Sequence, residues 1–405
     1  MEVTMINQVD TLFVLIGALM VILMTPALSV FYAGLGRIRN GVDVMMQVWI
    51  CFAVVGILWI VCGFSMAFGS DVCGGIIGRM DFAFLKDVGM APHETFGKTI
   101  PFVVYFLLQA AYAIITPALI AGAVLEKMQL KAFIVFIVLW DIIVYIPLAH
   151  MVWGGGLLAD LGFLDFGGGT VIHGSAGFSS LAAVLILGRR RDMDETPSNM
   201  AQVSVNCGLL LFGWFAFNAA GAAALNANAI YAAANSLIGT VIGMAVWVIW
   251  TWVREKRASF LHAMFGFLAG LVAVTPASEC MNLQQAMIMS VIVSVLCYIA
   301  INFVRPKLGF DDSLDVWGLH GVGGLFGCML IPLFLDGSLV EMPHALGQQL
   351  LLQIGCALAA CAFAFAATWV ILKVLGLFMQ LRNTPEMEAS IDKNRYQEVM
   401  YETQA

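Results

Sequence analysis

The stretch Asp165–Gly177, D-F-G-G-G-T-V-I-H-G-S-A-G, decides how this chain is read. An acid opens an apolar segment, a histidine follows eight residues later, and small residues surround it. From Asp312 the same grammar returns as D-S-L-D-V-W-G-L-H-G-V-G-G, so Asp312 precedes His320 by the same eight residues. Each histidine is followed by Gly-x-x-Gly: Gly174 and Gly177, then Gly321 and Gly324. Two buried histidines in matching places of two half-chains point to a duplicated unit.

Composition sets the solvent. Of 405 residues, 61% are hydrophobic and 11% charged, with a mean hydropathy of +0.93. A water-soluble domain carries about 25% charged residues. This chain cannot cover its surface with polar groups, so its solvent is largely lipid. The net charge of −7 says little; the distribution of basic residues says more. No nucleic-acid partner is expected. Most of the nine cysteines lie in apolar segments and read as small core residues. Cys73 and Cys280 lie in or near loops, and their pairing does not follow from sequence. No Cys/His cluster marks a metal site. No cofactor is expected, and no nucleophile–base constellation suggests an enzyme. Thr11–Ala33 lacks the basic leader of a signal peptide and is long enough to be the first span.

The expected fold is an all-α membrane protein of eleven transmembrane helices, each near the twenty residues a bilayer requires. The apolar segments run over about 11–34, 42–68, 99–124, 132–152, 167–188, 200–222, 229–253, 258–276, 282–303, 314–335 and 346–378. Basic residues fill every second loop, from Arg37 and Arg39 through Lys127, Arg190 and Arg254 to Arg305. Only Arg79, Lys86 and Lys98 of the nineteen fall on the other side. The positive-inside rule makes the basic side cytoplasmic, with the N-terminus outside and the C-terminus inside.

Eleven spans suggest five, five and one. The acid–histidine echo relates spans five and ten. Thr116-Pro117-Ala118 and Thr275-Pro276-Ala277 relate spans three and eight, and Phe31-Tyr32-Ala33-Gly34 and Phe217-Asn218-Ala219-Ala220 relate spans one and six. Partners five spans apart run in opposite directions. The expected organisation is a transmembrane domain over 1–379 with inverted repeats at about 10–190 and 198–336, and a final helix at about 346–378. A polar cytoplasmic tail follows over 380–405. The prolines either kink their spans or shape a pore wall, and the glycines allow close helix packing.

At about 1.5 Å per residue, His173 lies about 12 Å inside the outer face and His320 about 12 Å inside the inner face. In a hydrocarbon layer of about 30 Å they flank the midplane, about 6 Å apart along the normal. An ionisable group at that depth is a candidate site by default. Each imidazole nitrogen can donate or accept, and protonation near neutral pH is cheap. Such a pair can bind an amine or relay a proton. His150, which closes span four, reads as an interfacial hydrogen-bonding residue, and His93, His262 and His344 lie at loops or ends. Asp165 reads as a helix cap bonded to the amides of the glycines after it, and its charge would favour cations above a pore.

These residues sit in longer motifs: M-T-P-A-L-S-V-F-Y-A-G-L (Met24–Leu35), I-T-P-A-L-I-A-G-A-V-L-E (Ile115–Glu126) and A-H-M-V-W-G-G-G-L-L-A (Ala149–Ala159). With the two histidine stretches, they make the chain resemble the ammonium transporter family (Amt/Mep/Rhesus), closest to its bacterial Amt branch. The resemblance runs through nearly the whole chain. It implies a homotrimer with one pore per subunit and a twin-histidine pair at His173 and His320. It also implies an ammonium recruitment site at Trp153, Tyr112 and Asp165, where the Trp153 ring can hold a cation, and a stacked aromatic gate at Tyr112 and Phe217. A PII-type signal protein is an implied partner on the cytoplasmic face, and the cell membrane is the implied location.

Several positions depart from the family pattern. Tyr112 replaces phenylalanine, Leu108 stands where a second external aromatic is common, and Gly167 replaces alanine. Gly221 ends a motif that usually closes on serine. Tyr396-Gln397-Glu398 stands where the tail usually reads His-Gly-Glu. The implied function is conduction of ammonium or ammonia across the membrane, with deprotonation or proton relay at the histidines. The alternatives are an ammonium sensor and a passive ammonia channel of Rhesus type.

Overall fold

The computed structural model describes residues 6–193 and 196–401. Eleven helical spans are long and apolar enough to cross a membrane. They are α1 (Gln8–Leu35), α2 (Ile38–Phe68), α3 (Phe102–Val124), α4 (Leu130–Asp160), α5 (Gly169–Leu187) and α6 (Met200–Ala222). Then come α7 (Ala227–Glu255), α8 (Phe260–Ala277), α9 (Leu283–Leu308), α10 (Trp317–Phe334) and α11 (Leu346–Phe378). A short α12 (Pro385–Ala389) lies in the tail. Two isolated bridges, Asp71 with Gly78 and Met128 with Arg382, are the only β pairing among the described residues.

Polar side chains fix where several spans begin. Asn7, Asn199, Asn226 and Ser259 accept bonds from first-turn amides, and Asn282 and Gln285 close a reciprocal capping box. The expected boundaries differ most at α4, which the sequence reading ended at 152. The chain turns at Trp153–Gly156 and adds one more helical turn, Leu157–Asp160. Span α10 starts three residues later than expected, because the chain before it is occupied in capping and Asp315 has a left-handed φ of 59°.

The bundle is layered from inside to lipid. Span α3 runs through the interior, with 89% of its most apolar window buried, against 28% for the peripheral α11. Spans α1 and α3 pack together, α1 packs on α6, α7 on α8, and α11 on α5. Outward-facing side chains such as Leu19, Ile57, Trp252, Leu351 and Leu377 are apolar and exposed. A helical bundle satisfies its backbone internally, so such a surface is stable only against lipid or another apolar face.

The face that carries Arg37, Lys127 and Arg190 is tied together by ion pairs. Arg37 bonds Glu126 and Asp192, while Arg190 and Lys127 both meet Asp311, Arg190 at 2.9 Å. Several residues counted for topology are therefore also buried structural charges: Lys127 is 0% exposed. Burial pulls the Lys127 ammonium down to about 8, although Asp311 opposes the shift. The tail folds back onto this face. Arg395 reaches Asp43 at 2.6 Å, Asp392 accepts from the Val42 and Asp43 amides at 2.9 Å, and Asn383 donates to the Glu126 carbonyl at 2.9 Å.

Candidate functional site

The site begins where α5 and α10 touch backbone to backbone. A Cβ on Gly177 would lie 2.1 Å from the Gly321 nitrogen, and one on Gly324 would lie 2.1 Å from the Gly169 carbonyl oxygen. Only glycine fits such an approach. Both histidines stand on π-helical turns, Gly169–Gly174 and Trp317–Gly321, a local widening that re-aims side chains and is common at functional sites. The result is a pair. His173 Nδ1 lies 3.2 Å from His320 Nδ1, with ring centroids 5.2 Å apart.

Two neutral imidazoles in that contact share one proton, so one Nδ1 donates and the other accepts. Each Nε2 then takes the opposite character to its own Nδ1. His173 Nε2 has no partner among the described residues. Both rings line an apolar void with Leu28, Phe31, Trp214 and Phe217, about 20 Å³ of space open to the centre of a water molecule. One water needs roughly 10–15 Å³ on that measure, so the void holds a single small molecule.

A column of rings leads from the bundle face opposite the basic one to this void. Trp153 and Tyr112 lie 6.1 Å apart by centroid, Tyr112 and Phe217 4.8 Å, and Phe217 and His173 5.9 Å. Tyr112 and Phe217 meet edge to face, with ring planes at 68°. The Tyr112 hydroxyl donates to the Phe217 carbonyl at 2.8 Å, a bond that phenylalanine cannot make. Above the column is an open cavity of about 260 Å³, lined by Tyr105, Gln109, Tyr112, Trp153, Phe166 and Gly221.

Asp165 does not line that cavity. Its carboxylate turns into the protein and accepts from the Gly169 amide at 2.6 Å, from the Thr170 amide and hydroxyl at 2.7 and 2.6 Å, and from the Val171 amide at 3.2 Å. Of the following glycines, only Gly169 donates to it; Gly168, with φ of 84°, makes the turn that lets the next amides converge. The Asp165 carbonyl accepts from Trp153 Nε1 at 2.8 Å, so the acid holds the indole in place through backbone. Asp312 plays a related part for α10, accepting the Trp317 amide at 2.7 Å. His150 is fully buried, with Nδ1 2.9 Å from the Ala67 carbonyl oxygen. Leu108 is also fully buried and stands apart from the cavity lining.

Sequence reading missed four residues here. Trp214 stacks on His173 at 5.4 Å and 18°, and its Nε1 donates to the Thr275 hydroxyl at 2.9 Å. Its i−3 relation to Phe217 on α6 was a usable signal. Tyr105 and Gln109 supply polar atoms to the mouth, bonded to each other at 3.3 Å. Glu279, two residues past the Thr275-Pro276-Ala277 turn, lies behind Gly221: a Cβ on Gly221 would be 2.8 Å from its Oε1.

Eleven apolar spans around an enclosed apolar void define a multi-pass helical membrane protein. The chain belongs to the Ammonium Transporter Family, whose model matches residues 12–401. It is 37% identical over 401 residues to the ammonium transporter of Bacillus subtilis, covering 97% of this chain and 98% of the relative. It is 34% identical to ammonium transporter Amt1 of Archaeoglobus fulgidus, covering 96% and 98%. The fold matches the crystal structure of Candida albicans Mep2 with a TM-score of 0.88 at 27% identity, covering 98% and 94%. It also matches a sensor Amt protein with a TM-score of 0.88 at 24% identity, covering 96% and 98%.

Proposed function

We propose that this chain conducts ammonium across the cytoplasmic membrane, taking the ion from the mouth at Trp153 and Tyr112 and passing it as ammonia through the void at His173 and His320. The carrying observation is the histidine pair, with an unpartnered Nε2 in an otherwise apolar void. A buried polar atom without a partner is costly, and a small amine can satisfy it as donor or acceptor. At the mouth the indole face attracts a cation, and Asp165 fixes the indole and adds negative potential nearby. The ion sheds water on passing the Tyr112–Phe217 edge contact.

At the pair one N–H bond of ammonium breaks and its proton passes to an imidazole nitrogen. Neutral ammonia then enters the apolar space while the proton moves separately through the shared Nδ1 contact. Sodium and potassium have no proton to shed, so desolvation excludes them. The basic face is cytoplasmic on this reading, the two five-span halves form the inverted repeat, and three copies assemble through apolar outer surfaces. A PII-type signal protein would meet the same face as the tail.

Reconstituted protein on a solid-supported membrane should give ammonium-evoked current. No current and no flux at any pH would sink the proposal. A sensor is the second reading, favoured by the departures at Gly221 in the mouth and at Tyr396-Gln397-Glu398 in the tail; it predicts binding without flux. Flux without current would mark passive ammonia conduction.

A further inference from the structure

Glu279 is an acid whose carboxylate has no partner among the described residues. It is 7% exposed, and no hydrogen bond or ion pair among the described residues reaches its carboxylate. The backbone around it is firmly held. Asn228 donates to the Glu279 carbonyl at 3.0 Å, and Asn235, two turns further along α7, donates to the carbonyls of Ser278 and Met281 at 2.9 Å each. The side chain is thereby directed at Gly221, on the mouth cavity. The point where a Cβ of residue 221 would sit is 2.8 Å from Glu279 Oε1 and 3.8 Å from both the Tyr112 hydroxyl and the Phe166 carbonyl oxygen. Three oxygens converge on space that a missing side chain leaves open.

We propose that Glu279 is a cation ligand at the mouth, its carboxylate accepting N–H bonds from an ammonium-type ion in the space beside Gly221. This rests on reading the mouth as the entry for ammonium. A Cβ at 221 would oblige the Glu279 carboxylate to move aside, so glycine at 221 leaves the acid its present position. An unpaired buried carboxylate is unstable by itself; a bound cation supplies the missing charge and donors. Burial pushes the carboxyl up to about 8 in the empty site, and a bound cation draws it down.

The test uses the full chain, with ammonium chloride binding measured by titration calorimetry in detergent and ammonium-evoked current measured in liposomes. Glu279→Gln keeps the size of the side chain and removes its charge. It should weaken ammonium binding about tenfold or more, as expected for a lost charged hydrogen bond, and raise the half-saturating concentration with the maximal current retained. Gly221→Ser alone should also weaken binding. Combined with Glu279→Gln, it should weaken binding little further than Glu279→Gln alone, because both changes act on one site. Binding by Glu279→Gln within about twofold of the parent, or no ammonium binding by the parent, overturns the proposal. A parent that binds but carries no current overturns conduction while leaving the Glu279 comparison decisive.

Discussion

The Nδ1 atoms of His173 and His320 face each other at 3.2 Å, inside a bundle whose glycines allow α5 and α10 to touch. One shared proton couples the rings, so they act as one group. Replacing either with alanine should cut ammonium-evoked current about 10²-fold or more, the usual scale of a lost proton-transfer group. The double variant should be little worse than either single one, because coupled residues are not additive. Current from either single variant at the parental level would refute the shared role.

Tyr112 carries a ring and a hydroxyl with separable tasks. Tyr112→Phe keeps the ring against Phe217 and removes the bond to the Phe217 carbonyl, costing about 0.5–1.5 kcal/mol of stability. Current should persist. Tyr112→Ala opens the column and should admit ions that the parent excludes. Potassium current in liposomes distinguishes the two outcomes.

Trp153 is expected to act on affinity. A cation–π contact contributes about 0.5–2 kcal/mol, so Trp153→Leu should raise the half-saturating ammonium concentration by about 2- to 30-fold while the maximal current changes less. A fall in maximal current alone would place the tryptophan in a different step.

Asp165 accepts from four donors and lies outside the mouth lining. Asp165→Asn replaces one acceptor oxygen with an NH2 group facing amides, and should cost about 1.5–3 kcal/mol. Thermal denaturation of the purified protein reads this directly. A variant as stable as the parent that has lost only ammonium affinity would show direct contact with the ion.

The carboxyl of Glu279 gives the mouth a pH dependence. Its value rises to about 8 through burial, so the empty site is mostly protonated below that pH and anionic above it. The Tyr112 hydroxyl and Cys280 thiol are its titratable neighbours. Ammonium affinity should strengthen as pH is raised from about 6.5 to 8.5, and Glu279→Gln should flatten that profile. The raised value has the opposite sign for folding: deprotonation between the unfolded and folded values costs stability, so the empty protein should lose stability as pH rises toward 8. Thermal denaturation across that range, with and without ammonium, checks both signs.

Eleven spans were legible in the sequence because each apolar run must match a bilayer, a constraint local to the run. The histidine echo was legible for the same reason: an ionisable residue in an apolar run is conspicuous wherever the run packs. The closeness of His173 and His320 could be approached by residue counting, which fixed depth but not facing; Gly177 against Gly321 and Gly169 against Gly324 supplied the facing. The tail reads as polar in sequence, yet its docking through Arg395 and Asp43 depends on partners over 350 positions apart.

The sequence by itself determined the solvent of this protein, the number of its spans, and the two histidines set at matching places within them. Each follows from short-range rules of length, hydropathy and spacing. Only the tertiary structure decided what surrounds them: Trp214 stacked on His173, Tyr112 bonded to the Phe217 carbonyl, and the Glu279 carboxylate directed at the space beside Gly221. Those relations join residues from different spans, and packing between helices rather than pattern along one of them sets which side chains meet.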